Sequence, residues 1–311
     1  VRQVLRRYWI QAALIGVAVV WGSTFIVVKD AVAAYPLYSF LTLRFGIAVL
    51  AFIAIFPRAF SKLDLPTVGV GLLAGAFLCA GYIFQTWGLQ GTTASKAAFI
   101  TGMFVVITPV MQAVLLRVVP RNATIIGVGL AVVGLWLLSG ASAQGWNIGD
   151  TRVFLCAVAY SAHMIVLGGP GRRHDPLALT FVQLAATAIV CAVMALILER
   201  PLLMPSTAQV WVALVITGVL ASAVAFAVQT YAQRHIPPAR TALILISEPA
   251  FGGLFGWIAG ESLGVRGLAG AGLILGGMVF AELVGAAKAA VSGVVLEPSL
   301  EGPSVPVMED H

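Results

Sequence analysis

The chain is a hydrophobic sequence that repeats itself after about 140 residues, and that duplication constrains its fold more than any other feature. Trp21-Gly22-Ser23-Thr24 aligns with Tyr160-Ser161-Ala162-His163, and Pro36-Leu37 aligns with Pro176-Leu177. Thr108-Pro109 answers Glu248-Pro249, Gly127 answers Gly267, and Gln85-Thr86-Trp87 answers Gln229-Thr230-Tyr231 after a slip of a few residues. Each half carries five apolar segments. Because five is odd, the second half enters a bilayer from the opposite side. Inverted repeats of this kind place a pathway at their interface, near mid-membrane.

The apolar segments lie near 12–33, 36–57, 67–88, 93–117, 122–140, 150–170, 176–198, 208–231, 237–259 and 265–287. Each is close to the ~20 residues that cross ~30 Å of hydrocarbon as a helix. With 60% apolar and 10% charged residues, the chain departs from soluble domains, where about 25% of residues are charged. The reading is an all-α integral membrane protein of ten transmembrane helices in two inverted five-helix repeats. It divides into a cytoplasmic N-terminal segment (1–11), a first repeat (12–140), an outer-side linker (141–149), a second repeat (150–287) and a disordered cytoplasmic tail (288–311). Pairs such as Gly71/Gly75, Gly252/Gly256 and Gly272/Gly276 fit close helix packing in lipid.

A net charge of +6 invites a nucleic-acid reading, but its distribution refuses it. With the N-terminus inside, twelve lysines and arginines face the cytoplasm and five face outward, with Arg44 left within a span. That bias is the positive-inside rule, so the basicity reports topology and not a nucleic-acid partner. The first span has the arginine-rich start and Ala31-Val32-Ala33 of a signal peptide. Its apolar stretch is too long for one, and cleavage would destroy the five-plus-five symmetry, so it is read as a retained helix. Cys79, Cys156 and Cys191 lie within spans and read as small hydrophobes, not as a disulfide or metal framework.

Spans four and nine share an interruption. The fourth opens at Thr92-Thr93 and the ninth at Pro237-Pro238, both suited to a helix start. Each then carries an internal proline, Pro109 and Pro249, which removes a backbone hydrogen bond and predicts a kink. Matched interruptions in two repeats point to a binding site, and Pro109 and Pro249 are read as gating positions. Frequent prolines that merely shape packing are the alternative.

Three ionisable side chains within spans stand out. Glu248 directly precedes Pro249; a carboxylate there costs ~2.5–3.5 kcal/mol on insertion scales unless paired, hydrated or protonated. It is a candidate solute contact and proton carrier, against the alternative of a protonated acid bonded to a carbonyl. Arg44 keeps its charge and needs acceptors: a carbonyl cluster, Glu248 or an anionic solute group whose carboxylate its planar fork would match. A structural clamp on carbonyls stands equally beside that role. His163 is a second proton candidate, because an unperturbed imidazole changes charge near neutral pH, although a lone bundle histidine is more often a packing residue. Trp21, Thr24, Tyr82 and Tyr160 complete the candidate solute contacts, with Thr101 and Ser222 as further wall residues. Gln85 and Gln229 lie nearer opposite membrane faces and are read as caps or gates.

There is no His-Glu-x-x-His, nucleophile elbow or phosphate loop in the sequence, so no enzyme activity, metal or cofactor is expected. The expected partners are a small-molecule substrate and the lipid bilayer; pairing into a homodimer is compatible with the chain.

Trp-Gly-Ser-Thr-Phe at 21–25, Leu43-Arg44-Phe45 and Gly127-x-Gly129 resemble the first half of EamA-type transporters of the drug/metabolite transporter superfamily. Ser-Glu-Pro-Ala-Phe at 247–251, Gly260-Glu261 and Gly267-Leu-Ala-Gly270 resemble the second half, so the likeness spans 12–287. The resemblance implies ten helices, a central cavity and both termini in the cytoplasm of a bacterial-type inner membrane. It also implies secondary transport of small metabolites such as amino acids or drugs, chiefly export by alternating access, with proton coupling in some members and passive exchange in others.

Overall fold

The computed structural model describes residues 2–92, 94–139, 146–199, 204–258 and 264–291. The acidic tail from 292 onward, Glu261 and most of the break between halves lie outside them. All regular structure among the described residues is helical. The first repeat contains α1 (Arg2–Ala34), α2 (Leu37–Ile55), α3 (Leu65–Leu89), α4 (Ala94–Gly102), α5 (Phe104–Leu115) and α6 (Asn122–Ser139). The second contains α7 (Ile148–Gly168), α8 (Pro176–Leu198), α9 (Ala208–Gly218), α10 (Ala225–Gln233), α11 (Pro238–Leu245), α12 (Glu248–Ile258) and α13 (Gly264–Val291). Six helical stretches among the described residues are long and apolar enough to cross a membrane, and Tyr8–Thr24, Phe99–Leu115 and Asn122–Leu138 are shorter apolar helices.

Polar residues at the span ends set the helix starts. Asp64 accepts the Thr67 N–H at 2.8 Å at the start of α3. Asp175 accepts from Leu177 and Ala178 at the start of α8, each at 3.0 Å. Asn147 and Asp150 form a reciprocal capping box on α7. Of Thr92-Thr93, expected to open the fourth span, Thr93 lies outside the described residues, and the Thr92 hydroxyl donates to Asp150 Oδ1 at 2.6 Å. The start of α2 has no side-chain cap of its own, because Pro36 occupies that position. Glu199, just past α8, supplies one, accepting the Tyr38 and Ser39 N–H groups at 2.9 and 2.8 Å.

Helices that correspond in the two repeats pack together, α2 against α8 and α6 against α13. In the α6–α13 seam, Cβ atoms built on Gly134 and Gly127 would lie 2.5 and 2.7 Å from the Gly270 and Gly277 carbonyl oxygens, so only glycine admits that approach. Gly272 and Gly276, the pair singled out from sequence, face open space. The contact uses the glycines two before and one after that pair. Cys79 and Cys191 come from different repeats yet stand with Sγ atoms 3.8 Å apart, as free thiols.

The fourth and ninth spans are each broken into two helices. In the ninth the break falls at Ile246-Ser247, where Pro249 cannot bond to Leu245 and its ring crowds that carbonyl. In the fourth the break falls at Met103, six residues before Pro109, which lies inside α5. Gly102 explains the shift: a Cβ there would lie 2.3 Å from Leu135 and 3.1 Å from Ile246. The chain therefore turns where it presses on α6 and on the other interruption. The two breaks meet in space.

Candidate functional site

Between the repeats lies a cavity of about 1030 Å³. One end, the mouth, is bordered by Tyr35–Tyr38, Leu89–Thr92 and Leu198–Glu199; the lining stops in the interior at Met164, Gln229 and Glu248. Trp21, Thr24, Arg44, Tyr82, Gln85, Tyr160, His163, Gln229 and Glu248, named from sequence, all line it. Pro109 and Pro249 do not, nor does Ser222, expected on the wall but fully buried behind Arg44; Thr101 and Phe104 beside the first break and Glu248 beside the second do.

Phe226 is the aromatic hub. Its ring centroid is 5.6 Å from Trp21, 6.4 Å from Tyr82 and 6.0 Å from His163, and Tyr82 stands 5.8 Å edge-on to Tyr160. Tilted and edge-on rings at these spacings place positive edges against negative faces. Sequence reasoning missed Phe226, since one more phenylalanine in an apolar span gives no contrast. The available signal was position: Ser222, Phe226 and Gln229 share one helical face.

Arg44 is nearly enclosed, 6% exposed, and its acceptors are neutral. Nε donates to Ser222 Oγ at 3.0 Å and Nη2 to the Tyr82 hydroxyl at 3.1 Å, while the guanidinium carbon lies 4.8 Å from the Tyr82 ring centre. Glu248 faces the same cavity but forms no ion pair with Arg44. Its backbone carries α1: a Cβ on Gly22 would sit 2.8 Å from the Glu248 carbonyl oxygen, so α1 and α12 cross backbone on backbone.

His163 is held by an amide chain. Its Nε2 is 2.6 Å from Gln183 Oε1, and Gln183 Nε2 donates to Thr230 Oγ1 at 3.0 Å. Since Gln183 offers an acceptor, Nε2 carries the hydrogen. Gln85 accepts from the Tyr160 hydroxyl at 3.5 Å toward the mouth, and Gln229 donates to Gln233 at 3.3 Å toward the interior end. Thr101 Oγ1 and Gln229 Oε1 are buried without a partner on this wall. The described residues contain no cluster of three His, Cys, Asp or Glu that would hold a metal.

Beyond the closed end, the floor, polar side chains join the repeats. Gln112 Oε1 accepts the Ala239 N–H at 2.9 Å while its Nε2 donates to the Val118 carbonyl at 3.0 Å. Thr108 Oγ1 donates to Ser161 Oγ at 3.2 Å. Glu282 receives a bidentate pair from Arg240 and a 2.6 Å bond from Gln11. None of these residues was a candidate from sequence, although Thr108 and Ser161 stand in the repeat alignment.

A duplicated helical bundle with a large aromatic and polar cavity between its halves has the build of a membrane solute transporter. The comparisons with known proteins agree: the chain belongs to the EamA-like transporter family, which matches residues 8–140 and again 147–283. An uncharacterized transporter of Archaeoglobus fulgidus is 35% identical over 251 residues, spanning 81% of this chain and 78% of the relative. A second uncharacterized transporter of that organism is 23% identical over 274 residues, covering 87% and 95% of the two chains. A solved crystal structure covering 88% of this chain and 98% of its own superposes with a TM-score of 0.78 at 20% identity, which shows the same fold.

Proposed function

We propose that this transporter exports a small organic metabolite, an amino acid or drug-like solute, across a cytoplasmic membrane by alternating access. The ten spans form two inverted repeats, and both termini lie in the cytoplasm. The observation that carries the reading is the cavity itself, built from both repeats, reaching one end of the bundle and stopping at a bonded floor. In the topology read from the charge bias the mouth faces outward, which supports reading this conformation as the outward-facing stage of the proposed cycle.

Within the cavity, Trp21, Tyr82, Tyr160 and Phe226 offer aromatic faces for the body of the solute. Arg44 offers a permanent charge, and Glu248 a carboxylate that exchanges a proton with the cavity. Release to the outside followed by proton uptake at Glu248 would couple export to the proton gradient. The helix breaks at Met103 and Ser247 touch through Gly102 and Ile246, and they are the joints about which the floor opens.

The test is solute flux in proteoliposomes, over amino acids, nucleosides, sugars and cationic drugs, with and without an imposed pH gradient. Gradient-driven accumulation of one class is expected, abolished in Glu248→Gln while exchange of labelled for unlabelled solute persists. Flux that ignores the gradient in both proteins makes the chain a facilitator or exchanger. Flux no greater than in empty liposomes for every solute overturns the reading.

A further inference from the structure

Helices α9 and α10 are joined by a single π-helical turn, Val219–Val224, where the Ala225 N–H reaches back five residues to the Leu220 carbonyl. Such a turn accommodates one extra residue within an otherwise α-helical rod, re-aims the side chains and carbonyls around it, and is found often at functional sites. Here its residues are small and buried: Ala221, Ser222 and Ala223 are each 0% exposed. Gly218 precedes them, and a Cβ there would lie 2.9 Å from the Arg44 carbonyl oxygen, so the backbone of α2 rests directly on this segment.

Two side chains of the first repeat end on consecutive residues of that turn. Trp21 Nε1 donates to the Ala221 carbonyl at 2.8 Å, and Arg44 Nε donates to Ser222 Oγ at 3.0 Å. Both side chains line the cavity. Arginine has five N–H donors, and Arg44 engages two of them, one on Ser222 and one on the Tyr82 hydroxyl. The remaining three have no protein partner among the described residues, and they include both N–H groups of Nη1. Pinned at Nε and at one Nη2 hydrogen, the guanidinium keeps a terminal edge for a ligand, and two parallel N–H groups match the two oxygens of a carboxylate.

We infer that the π turn is the seat that holds Arg44 as the anchor of a carboxylate subsite, and that Ser222 is the positioning residue that makes the cavity prefer a planar carboxylate to its neutral amide. The inference rests on the cavity being the solute site and names the chemistry of one end of that solute. The unpartnered Thr101 Oγ1 and Gln229 Oε1 on the same wall are acceptors for a donor elsewhere on it.

The test is binding to the purified chain in detergent, with benzoate and benzamide as probes of nearly equal size, one anionic and one neutral. The wild type is expected to bind benzoate at least about tenfold more tightly than benzamide. Ser222→Ala is expected to weaken benzoate about tenfold and leave benzamide unchanged, as for loss of a bond to a charged group. Tyr82→Phe removes the second pin while keeping the ring, and it is expected to reduce the same preference if Ser222→Ala fails to fold. Equal affinities in the wild type, binding of neither probe, or variants that weaken both probes alike would overturn the inference. Because binding is read without flux, the two readings separate. Solute flux without a carboxylate preference removes this subsite and leaves transport standing; the preference without flux does the reverse.

Discussion

The two ends of the cavity use similar bonds to different effect. At the mouth, Glu199 accepts the α2 N–H groups and the Ser39 hydroxyl, Thr92 donates to Asp150, and Arg152 stacks 3.9 Å from the Trp87 ring centre. These interactions hold the rim while the cavity lining continues up to it. At the floor, Gln11, Thr108 and Gln112 of the first repeat bond to Glu282, Ser161 and Ala239 of the second, and none of them lines the cavity. The mouth is braced open and the floor is tied shut. A neutral hydrogen bond exchanged with water contributes only about 0.5–1.5 kcal/mol net. In the proposed alternating-access cycle, a few such ties close a path that differential solute or proton affinity would reopen.

The largest change to this contrast should come from Gln112→Ala. It leaves the buried Ala239 N–H without its acceptor and frees the Val118 carbonyl, at about 1–3 kcal/mol for the unsatisfied group. The floor-open population should rise about tenfold, read as spin-label distances between α5 and α11; an unchanged distribution would show that the tie does not hold the floor. Gly22→Ala should be comparable in stability but different in kind, forcing α1 off α12 beside Glu248 at about 1–3 kcal/mol. Gly272→Ala, which meets nothing within 4 Å, is the matched control and should melt at or slightly above the wild-type temperature. Equal melting of the two variants would contradict the packing described.

A smaller effect is expected at the mouth from Glu199→Gln. The amide oxygen still accepts an α2 N–H, so the loss is mainly of negative charge at a helix start, about 0.3–1 kcal/mol. Amide exchange at Tyr38 and Ser39 should quicken a few-fold while the floor distances stay unchanged. The smallest is a pH effect at the start of α3. The Thr67 hydrogen bonds hold the exposed Asp64 carboxyl below its ordinary value. A carboxylate depressed in the folded state adds stability above its unfolded value and loses it as pH falls through the folded one. Protection of the Thr67 N–H, taken against its intrinsic exchange rate at each pH, should therefore be constant through neutral pH and fall only below the ordinary carboxylate range, with Asp64→Asn flat throughout.

Much of the helical frame was legible because the apolar segments contrast with their charged ends, and Arg44 and Glu248 drew notice because charge within a span is costly. Contrast also explains what was missed. Phe226 is hidden among apolar neighbours, and Glu199 at a helix end and Glu282 near the expected end of the last span sit where a carboxylate needs no special reason. Gln112 was traceable only as the residue one turn past Thr108. The π turn has no composition of its own, since Ala221 and Ala223 read as ordinary small packing residues and Ser222 only as one more polar wall residue. The displaced break at Met103 depends on a neighbour, Leu135, that local proline rules do not include. Close approaches between distant segments are set by the assembled bundle, as the α6–α13 glycines show.

The most direct test of a path open at one end is thiol accessibility in sealed vesicles of known orientation. Thr101→Cys would place a single thiol in the cavity wall, with Cys79, Cys156 and Cys191 replaced by alanine. A membrane-impermeant maleimide should label Cys at position 101 from the mouth side, and from the floor side only when Gln112→Ala is added or solute is supplied. Labelling from neither side, or equally from both in the unmodified floor, would contradict the account.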